Sequence, residues 1–517
     1  MGLRDILIFA ALALAYRLIF GQRGRNWFLL VSSALAIYWL QPLAPIRYMD
    51  FWLPTATLGL VVLSWVVTSP PEGRDWRLPG NWTAAAVLAG VVLLVGLTRF
   101  LSQDGILTAG RPPLFEQVAL GVIVIAGLTW LVSFQTLRVF KLQTLRVSET
   151  LRVFGVIFLL ALLVVLKLPA LAQMASAGLR ALMGQEANLA TATDLRWLGF
   201  SYVAFRLVHT LRERQNGRLP LVTLQEYVIY VIFFPAFTAG PIDRLERFIK
   251  DLRGSSAPSG STTAGNPRMP PGSATTGNPR MPTGSATAGG PGDYLLAGER
   301  LVMGLFKKFV VADGLALAAL NATNAAQVHS AGWMWVLLYA YSLQIFFDFS
   351  GYTDIAIGLG RLVGIALPEN FNAPYLKPNL TQFWNNWHMT LTQWFRAYYF
   401  NPLTRWLRTG GRKLSAAAII FVTQITTFVL IGLWHGITWN FVLWGAWHGL
   451  GLFVQNRYSE WVRPHLPDLT ARPALKRGLA VAGGLLTFHY VALGWVWFAL
   501  PSAGLSWQVF LKLFGVR

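Results

Sequence analysis

Long, predominantly apolar runs are the feature that most constrains this chain. Examples are Leu53 to Val67, Ala84 to Leu97, Ala119 to Val132 and Val153 to Leu171. A helix needs about 20 apolar residues to cross the hydrocarbon core of a bilayer, and these runs approach or meet that length. We count roughly ten to thirteen such stretches. The sequence therefore predicts an all-α integral membrane protein that crosses the bilayer many times. The first apolar stretch, Ile6 to Phe20, has no small-residue cleavage site after it, so we expect a retained helix.

The net charge of +21 is explained by membrane topology rather than by a polyanion partner. Lys and Arg residues lie in short segments between the apolar runs, as they do in loops that stay cytoplasmic and meet anionic lipid headgroups. We therefore expect membrane lipid, and no nucleic acid, among the partners. Cysteine is absent, which excludes disulfides, thiolate metal sites and a cysteine acyl-enzyme.

Two segments have the character of insertions. Residues 255–292 are rich in Gly, Pro, Ser and Thr and repeat a twelve-residue unit, so we predict a disordered loop there. Residues 136–153 repeat Thr-Leu-Arg-Val three times, and their arginines favour a basic surface loop.

Beyond Phe233, polar residues become frequent inside apolar surroundings, where they are expensive to bury unless they are used. The first cluster is Phe233 to Arg244, in which Pro235 and Gly240 predict a break in the helix. A broken backbone is tolerated at membrane depth where protein or a water-filled cavity surrounds it. A re-entrant segment or cavity wall is one interpretation. The other is a helix that ends at the interface, with Asp243 and Arg244 in water.

The second cluster runs from Gln344 to Asp354. Its two carboxylates are six residues apart, which places them on different sides of a helix and disfavours a shared acid/base pair. They could bind other helices, a headgroup-like substrate or a cation, or one of them could cap a helix near Gly351. The candidate site residues here are Asp348, Ser350, Tyr352 and Asp354.

The third cluster, Phe383 to Arg396, has its large apolar residues at the spacing of one helical face. We predict one amphipathic helix near the membrane interface. His388 lies among tryptophans on the apolar face, where it is either functional or a hydrogen-bonded core residue. The other candidates of this cluster are Trp387, Asn386 and Arg396.

The fourth cluster, Trp434 to Gly449, holds His435 and His448, each followed by glycine. A neutral imidazole is the usual group that takes a proton from a hydroxyl, and Gly436 would leave space for a substrate beside the ring. Thirteen steps of one helix would place the two histidines on different sides, so no metal site is predicted. Nearby candidates are Trp434, Thr438, Trp439 and Asn440.

These motifs, together with Asn370 to Tyr375, occur in an order that resembles the bacterial branch of the membrane-bound O-acyltransferase family. That branch includes alginate O-acetyltransferases and the D-alanyl transfer proteins of teichoic acid modification. The resemblance covers roughly residues 200 to 455. It implies a multi-pass helical fold with re-entrant and interfacial helices around a central funnel or tunnel. It also implies a core at 211–254 and 293–455, between N-terminal membrane helices at 1–210 and a C-terminal loop with membrane helices at 456–517.

The resemblance further implies roles for individual residues. His435 matches the family's catalytic histidine and His388 its second polar position, while His448 is better interpreted as packing. Relatives have an acidic residue after the arginine that corresponds to Arg396, but here Ala397 follows it. We expect His435 to act as general base, Trp439, Asn440 or Thr438 to donate to the oxyanion, and His388 and Arg396 to orient or attract the donor. The alternative role for His388 is to relay a proton.

The function implied is transfer of an acyl group, most simply acetyl, from a cytoplasmic thioester to a hydroxyl of an exported polysaccharide or partner protein. The donor would be acyl-CoA or an acyl carrier protein, with no tightly bound cofactor. An extracytoplasmic acyltransferase or a polysaccharide-synthesis protein would be the partner, at the bacterial inner membrane. Three alternatives stay open. They are D-alanyl transfer to a teichoic-acid-like polymer, an inactive scaffold, and an ion-coupled transporter or flippase that uses Asp348 and Asp354.

Overall fold

The computed structural model describes the chain apart from residues 22, 71–75, 77, 142–144, 255–290, 411–413, 463–464, 466–471 and 517. Every regular element in these described segments is helical, and none is a strand. The predicted all-α class is therefore confirmed. The repeat-rich segment for which we predict disorder lies outside the described residues, except that a helix begins at Pro291.

The first half of the chain contributes ten helices. In chain order they are α1 Leu3–Phe20, α2 Arg25–Leu40, α3 Met49–Thr68, α4 Pro79–Leu97, α5 Phe115–Lys141, α6 Leu145–Lys167, α7 Pro169–Leu182, α8 Phe200–Gln215, α9 Leu224–Ile232 and α10 Leu245–Leu252.

The second half contributes eleven more. They are α11 Pro291–Leu305, α12 Asp313–Ala316, α13 Ala322–Gln327, α14 Ala331–Leu362, α15 Leu380–Asn386, α16 Met389–Phe395, α17 Asn401–Thr409, α18 Ala416–His435, α19 Trp439–Val462, α20 Pro473–Ala499 and α21 Ala503–Leu513. Two π-helical segments, Phe306–Ala312 and Arg396–Phe400, join α11 to α12 and α16 to α17.

Six helices in the described part of the chain are long and apolar enough to cross a membrane. A further apolar stretch in the described segments, Leu224–Ala236, is too short to cross. The predicted ten to thirteen spans therefore stay a prediction, while the multi-pass character is confirmed. Only 6% of the apolar window in α6 is buried by protein, and Phe154 and Ile157 are among its exposed side chains, so this helix faces lipid. The spans are Met49–Thr68, Gly80–Phe100, Phe115–Phe134, Glu149–Lys167, Ala416–His435 and Pro473–Ala499.

The predicted loop at 136–153 is wrong for most of its length. Helix α5 continues to Lys141, and α6 begins at Leu145. The Thr-Leu-Arg-Val repeats contain no Gly or Pro, and Leu and Arg are good helix formers. Arginine excludes the repeats from the hydrocarbon, but it does not end a helix.

A buried break follows α9. A reciprocal cap between Thr223 and Glu226 starts the helix, which ends at Ile232 where Pro235 approaches. The freed carbonyls of Val231 and Ala236 accept hydrogen bonds from the Arg206 guanidinium, at 2.7 and 2.8 Å. Residues 233–237 and Asp243 are buried, while Arg244 is exposed, so only the last residue of the segment meets the description of a helix end in water. Phe234–Ala236 form one short 3-10 turn, and this burial favours the interpretation as a re-entrant segment or cavity wall.

Helix α14 runs unbroken through Gly351, so no cap occurs there. Its charged residues pair with the neighbouring helix and π segment instead. Asp354 accepts from both Arg300 and Lys307, and Asp348 accepts from Lys308. Of the roles considered for these carboxylates, binding to other helices is therefore the one that the contacts support.

The Arg206→Met variant should lower the stability of the detergent-solubilised protein by about 3 kcal/mol, because it leaves two buried carbonyls without donors. Thermal unfolding of the purified variant would measure the loss. Arg477→Gln, at an exposed position of α20, is the matched control and should unfold as the wild type does. An unchanged unfolding temperature for Arg206→Met would contradict this account of the break.

Candidate active site

The site begins at a tight hairpin between α18 and α19. His435 is the last residue of α18, and three residues later α19 begins at Trp439. A side chain at Gly432 would lie 2.1 Å from the Phe441 carbonyl oxygen, so only glycine allows this approach of the two helices. Gly436 is likewise closed off, because a Cβ there would lie 2.6 Å from the Phe441 ring. The expected space for a substrate at Gly436 is therefore wrong.

The His435 imidazole has aromatic rings around it and one open side. Its centroid lies 4.6 Å from that of Trp434, 4.8 Å from Phe498 and 5.7 Å from Trp444. The open side faces a cavity of about 230 Å³. The residues that line this cavity are Lys167, Trp197, Gly199, Ser201, Tyr202, Thr238, Trp434 and His435.

Most of the cavity wall comes from elements that the sequence did not mark as part of the site. Lys167 ends α6, and Ser201 and Tyr202 begin α8, whereas Thr238 belongs to the first cluster, in the break after α9. A lysine that ends an apolar run is usually one that reaches the membrane surface, so this signal was weak. The lining contains one cation and no carboxylate.

The region around His388 is two short helices rather than the single amphipathic helix that we predicted. Helix α15 ends at Asn386 and α16 starts at Met389, and His388 between them has φ 41° and ψ 53°. For a residue with a Cβ, this left-handed conformation costs on the order of 1 kcal/mol. The apolar spacing is the same across the break, which is why periodicity did not reveal it.

The hydrogen bonds around His388 fix its tautomer. The Oδ1 atom of Asn370 accepts the Thr390 amide at 3.2 Å and the Thr390 hydroxyl at 2.7 Å, so it is an acceptor, and His388 Nδ1 donates to it across 3.3 Å. The Nε2 lone pair is left without a partner within the described segments. His388 lies outside the six candidate spans, and burial lowers its pKa to about 3. The ring is therefore neutral.

Trp434 connects the two histidines. Its ring is 4.6 Å from His435 and 6.5 Å from His388, measured between centroids. The structure thus brings together the two residues predicted as catalytic, with His435 open to the cavity and His388 behind the indole.

Other candidates of the third cluster lie away from the cavity. Trp387 packs between Phe383 and Trp495, and Asn386 donates to the Gln382 carbonyl of its own helix. Arg396 is exposed and donates to Asn385 Oδ1 at 2.8 Å. This contact gives the guanidinium a partner even though Ala397 replaces an acidic residue.

Two predicted oxyanion donors are wrong. The Asn440 amide donates to Trp497 O, Leu500 O and Ser506 Oγ, which ties α19 to α20 and α21. The Trp439 side chain is 76% exposed and does not line the cavity. Nearness in sequence favours both residues, but the start of α19 directs their side chains elsewhere. Thr438 is exposed as well.

In the second cluster only Tyr352 reaches the cavity wall, through a hydrogen bond with Thr238. Asp348 and Asp354 form ion pairs with Lys and Arg side chains and do not line the cavity. Ser350 is buried, and its hydroxyl has no partner within the described residues.

His448 is fully buried between Trp384 and Trp444, each 5.0 Å from it. These contacts agree with its interpretation as packing. Among the residues that the structure describes, no three His, Asp or Glu side chains group together as metal ligands would.

The chain is similar to known proteins of one family. Residues 117–492 match the membrane-bound O-acyltransferase family, MBOAT. The chain is 28% identical over 311 residues to "Teichoic acid D-alanyltransferase" of Bacillus subtilis (strain 168), covering 59% of this chain and 69% of that protein. It is 35% identical over 218 residues to "Peptidoglycan O-acetyltransferase" of Helicobacter pylori, covering 42% of this chain and 38% of that protein.

A third relative is "Probable alginate O-acetylase AlgI" of Azotobacter vinelandii, 29% identical over 318 residues, which are 61% of this chain and 53% of that protein. The alignments with the Helicobacter and Azotobacter proteins therefore span only about four- to five-tenths of those relatives.

Asn370→Ala should lower the rate of the reaction at this site by roughly 100-fold, because His388 loses the acceptor that fixes its tautomer. Asn370→Asp, which keeps an oxygen for the same donors, should restore much of the rate. Steady-state kinetics with the best acyl donor would measure both. Asn216→Ala, at an exposed position after α8, is the control. Equal rates for the Ala and Asp variants would count against a positioning role.

Proposed function

Because this chain belongs to the membrane-bound O-acyltransferase family, we propose that it transfers an acyl group, most simply acetyl, from a thioester to a hydroxyl. The acceptor would be an exported cell-surface polysaccharide or a partner protein. One observation carries the proposal. His435 lies at the end of a membrane-spanning helix, and its ring is open to a cavity. The neutral imidazole of His388 lies near the neighbouring Trp434 ring.

The proposed reaction follows from that geometry. His435 removes the proton of the acceptor hydroxyl, and the oxygen bonds to the thioester carbonyl carbon. The tetrahedral intermediate then collapses, the C–S bond breaks, and the imidazolium returns the proton to the thiolate. The aromatic wall of Trp434, Trp444 and Phe498 limits access of water to the ring, which protects the thioester from hydrolysis.

D-Alanyl transfer is the second candidate. The D-alanyltransferase of Bacillus subtilis aligns over a larger share of its length than the acetyltransferases cited above. The chemistry at His435 would be the same, with an aminoacyl thioester as donor. The donor in either case is acyl-CoA or an acyl carrier protein, and no tightly bound cofactor is part of the proposal.

Transport is the less favoured alternative. A transporter would need Asp348 or Asp354 to meet an ion or substrate, but cationic side chains of the protein already engage both. We further propose that the protein acts in the bacterial inner membrane beside an extracytoplasmic acyltransferase or a polysaccharide-synthesis protein.

The test uses the full-length protein in proteoliposomes with two labelled donors, acetyl-CoA and D-alanyl carrier protein, and with polysaccharide acceptors. Label should appear on the acceptor as an alkali-labile ester. His435→Ala should lower this transfer at least 1,000-fold, since both the base and the returning acid are lost. His329→Ala, an exposed histidine, should leave it unchanged.

Full transfer by His435→Ala would contradict the mechanism. Accumulation of unmodified substrate inside the vesicles, with no ester formed by the wild type, would contradict the enzyme and favour transport.

A further inference from the structure

Lys167 carries a positive charge into the cavity beside His435. Its Nζ atom lies 5.6 Å from the centroid of the Trp434 ring, whose indole also contacts His435. No carboxylate lines the cavity, and Lys167 forms no ion pair with any residue that the structure describes. An unneutralised ammonium in partly desolvated surroundings is unfavourable. A negative charge that forms transiently in the cavity would stabilise it.

A lysine at the end of a membrane span often extends its stem toward the headgroups, and this is the ordinary explanation for such a residue. Two contacts argue against it. The carbonyl of Lys167 accepts the Ile437 amide at 3.4 Å, which ties the end of α6 to the turn that follows His435. The ammonium then lies over Trp434 instead of pointing away from the protein. The end of α6 is thus held against the turn that follows His435.

The rest of the wall adds hydrogen-bond donors. Ser201 and Tyr202, at the start of α8, line the same cavity, and neither hydroxyl has a hydrogen-bond partner among the described residues. The cavity therefore offers one base, His435, and several groups that stabilise negative charge. This combination suits a reaction in which an uncharged carbonyl becomes an oxyanion next to the base.

We propose that Lys167 is the oxyanion-stabilising residue of the acyl transfer, assisted by the hydroxyls of Ser201 and Tyr202. The proposal rests on the proposed function. It places at Lys167 the role that sequence proximity had suggested for Trp439 or Asn440, whose side chains the fold directs elsewhere.

The acceptor oxygen bonds to the thioester carbonyl carbon while its proton passes to His435, and the electron pair of the C=O bond moves onto the carbonyl oxygen. The Lys167 ammonium stabilises that oxyanion without giving up its proton. The pair then re-forms the C=O bond as the C–S bond breaks, and the thiolate takes the proton from His435.

The experiment compares Lys167→Met, Lys167→Arg and the exposed control Lys476→Met, each as the full chain in proteoliposomes. Lys167→Met should lower kcat roughly 100-fold and change the KM of the acceptor by less than about 3-fold, because the charge acts only on the transition state. Lys167→Arg keeps a cation and should recover to within about 10-fold of the wild type. Lys476→Met should match the wild type. Size-exclusion profiles in detergent would verify that each variant is folded.

Other results would overturn the role of Lys167. One is an unchanged kcat in Lys167→Met. Another is a raised KM for acidic polysaccharides alone, with neutral acceptors unaffected, since that would make the lysine a binding site for acceptor charge. A third is Lys167→Arg as inactive as Lys167→Met. These outcomes require an active wild type, whereas an inactive wild type would contradict the proposed function itself.

Discussion

Backbone that leaves its helix inside a membrane protein must find partners for its amide groups within the protein, because lipid offers none. Three such breaks surround the site. They follow Ile232, Asn386 and His435. The Arg206 guanidinium satisfies two carbonyls at the first break, Asn370 holds the second, and the carbonyl of Lys167 accepts an amide at the third.

The breaks are also joined to one another. The Thr390 hydroxyl accepts the Ile242 amide and donates to Asn370, which connects the first break with the second. The rings of His388 and Trp434 connect the second with the third. Each break contributes a residue to the site. Inside a helix, by contrast, the backbone polar groups are already hydrogen-bonded to one another. Thr238, His388 and His435 come from the three breaks in turn, so the breaks are what bring these polar groups to the site.

Much of this could be predicted from the sequence. The apolar runs predicted the class, Pro235 and Gly240 predicted the first break, and the ordered motifs identified His435 and His388. The second break was missed because the apolar spacing continues across Trp387 and His388. Lys167 was missed because a lysine that ends an apolar run has the same sequence pattern whether it meets headgroups or a catalytic turn. Asn440 and Trp439 were misassigned because nearness along the chain does not give side-chain direction at the start of a helix. These features depend on contacts between residues far apart in sequence, such as Lys167 with Ile437 and Asn440 with Leu500.

Acyl transfer is proposed to take place in the cavity that His435 and Lys167 line. The most direct measurement is a high-resolution structure of the full-length protein with a non-hydrolysable thioether analogue of the acyl donor. The acyl carbonyl carbon should lie in this cavity, on the open side of the His435 ring. Its oxygen should be within hydrogen-bond distance, about 3 Å, of Lys167 Nζ. A donor analogue whose carbonyl lies elsewhere, out of reach of His435, would contradict it.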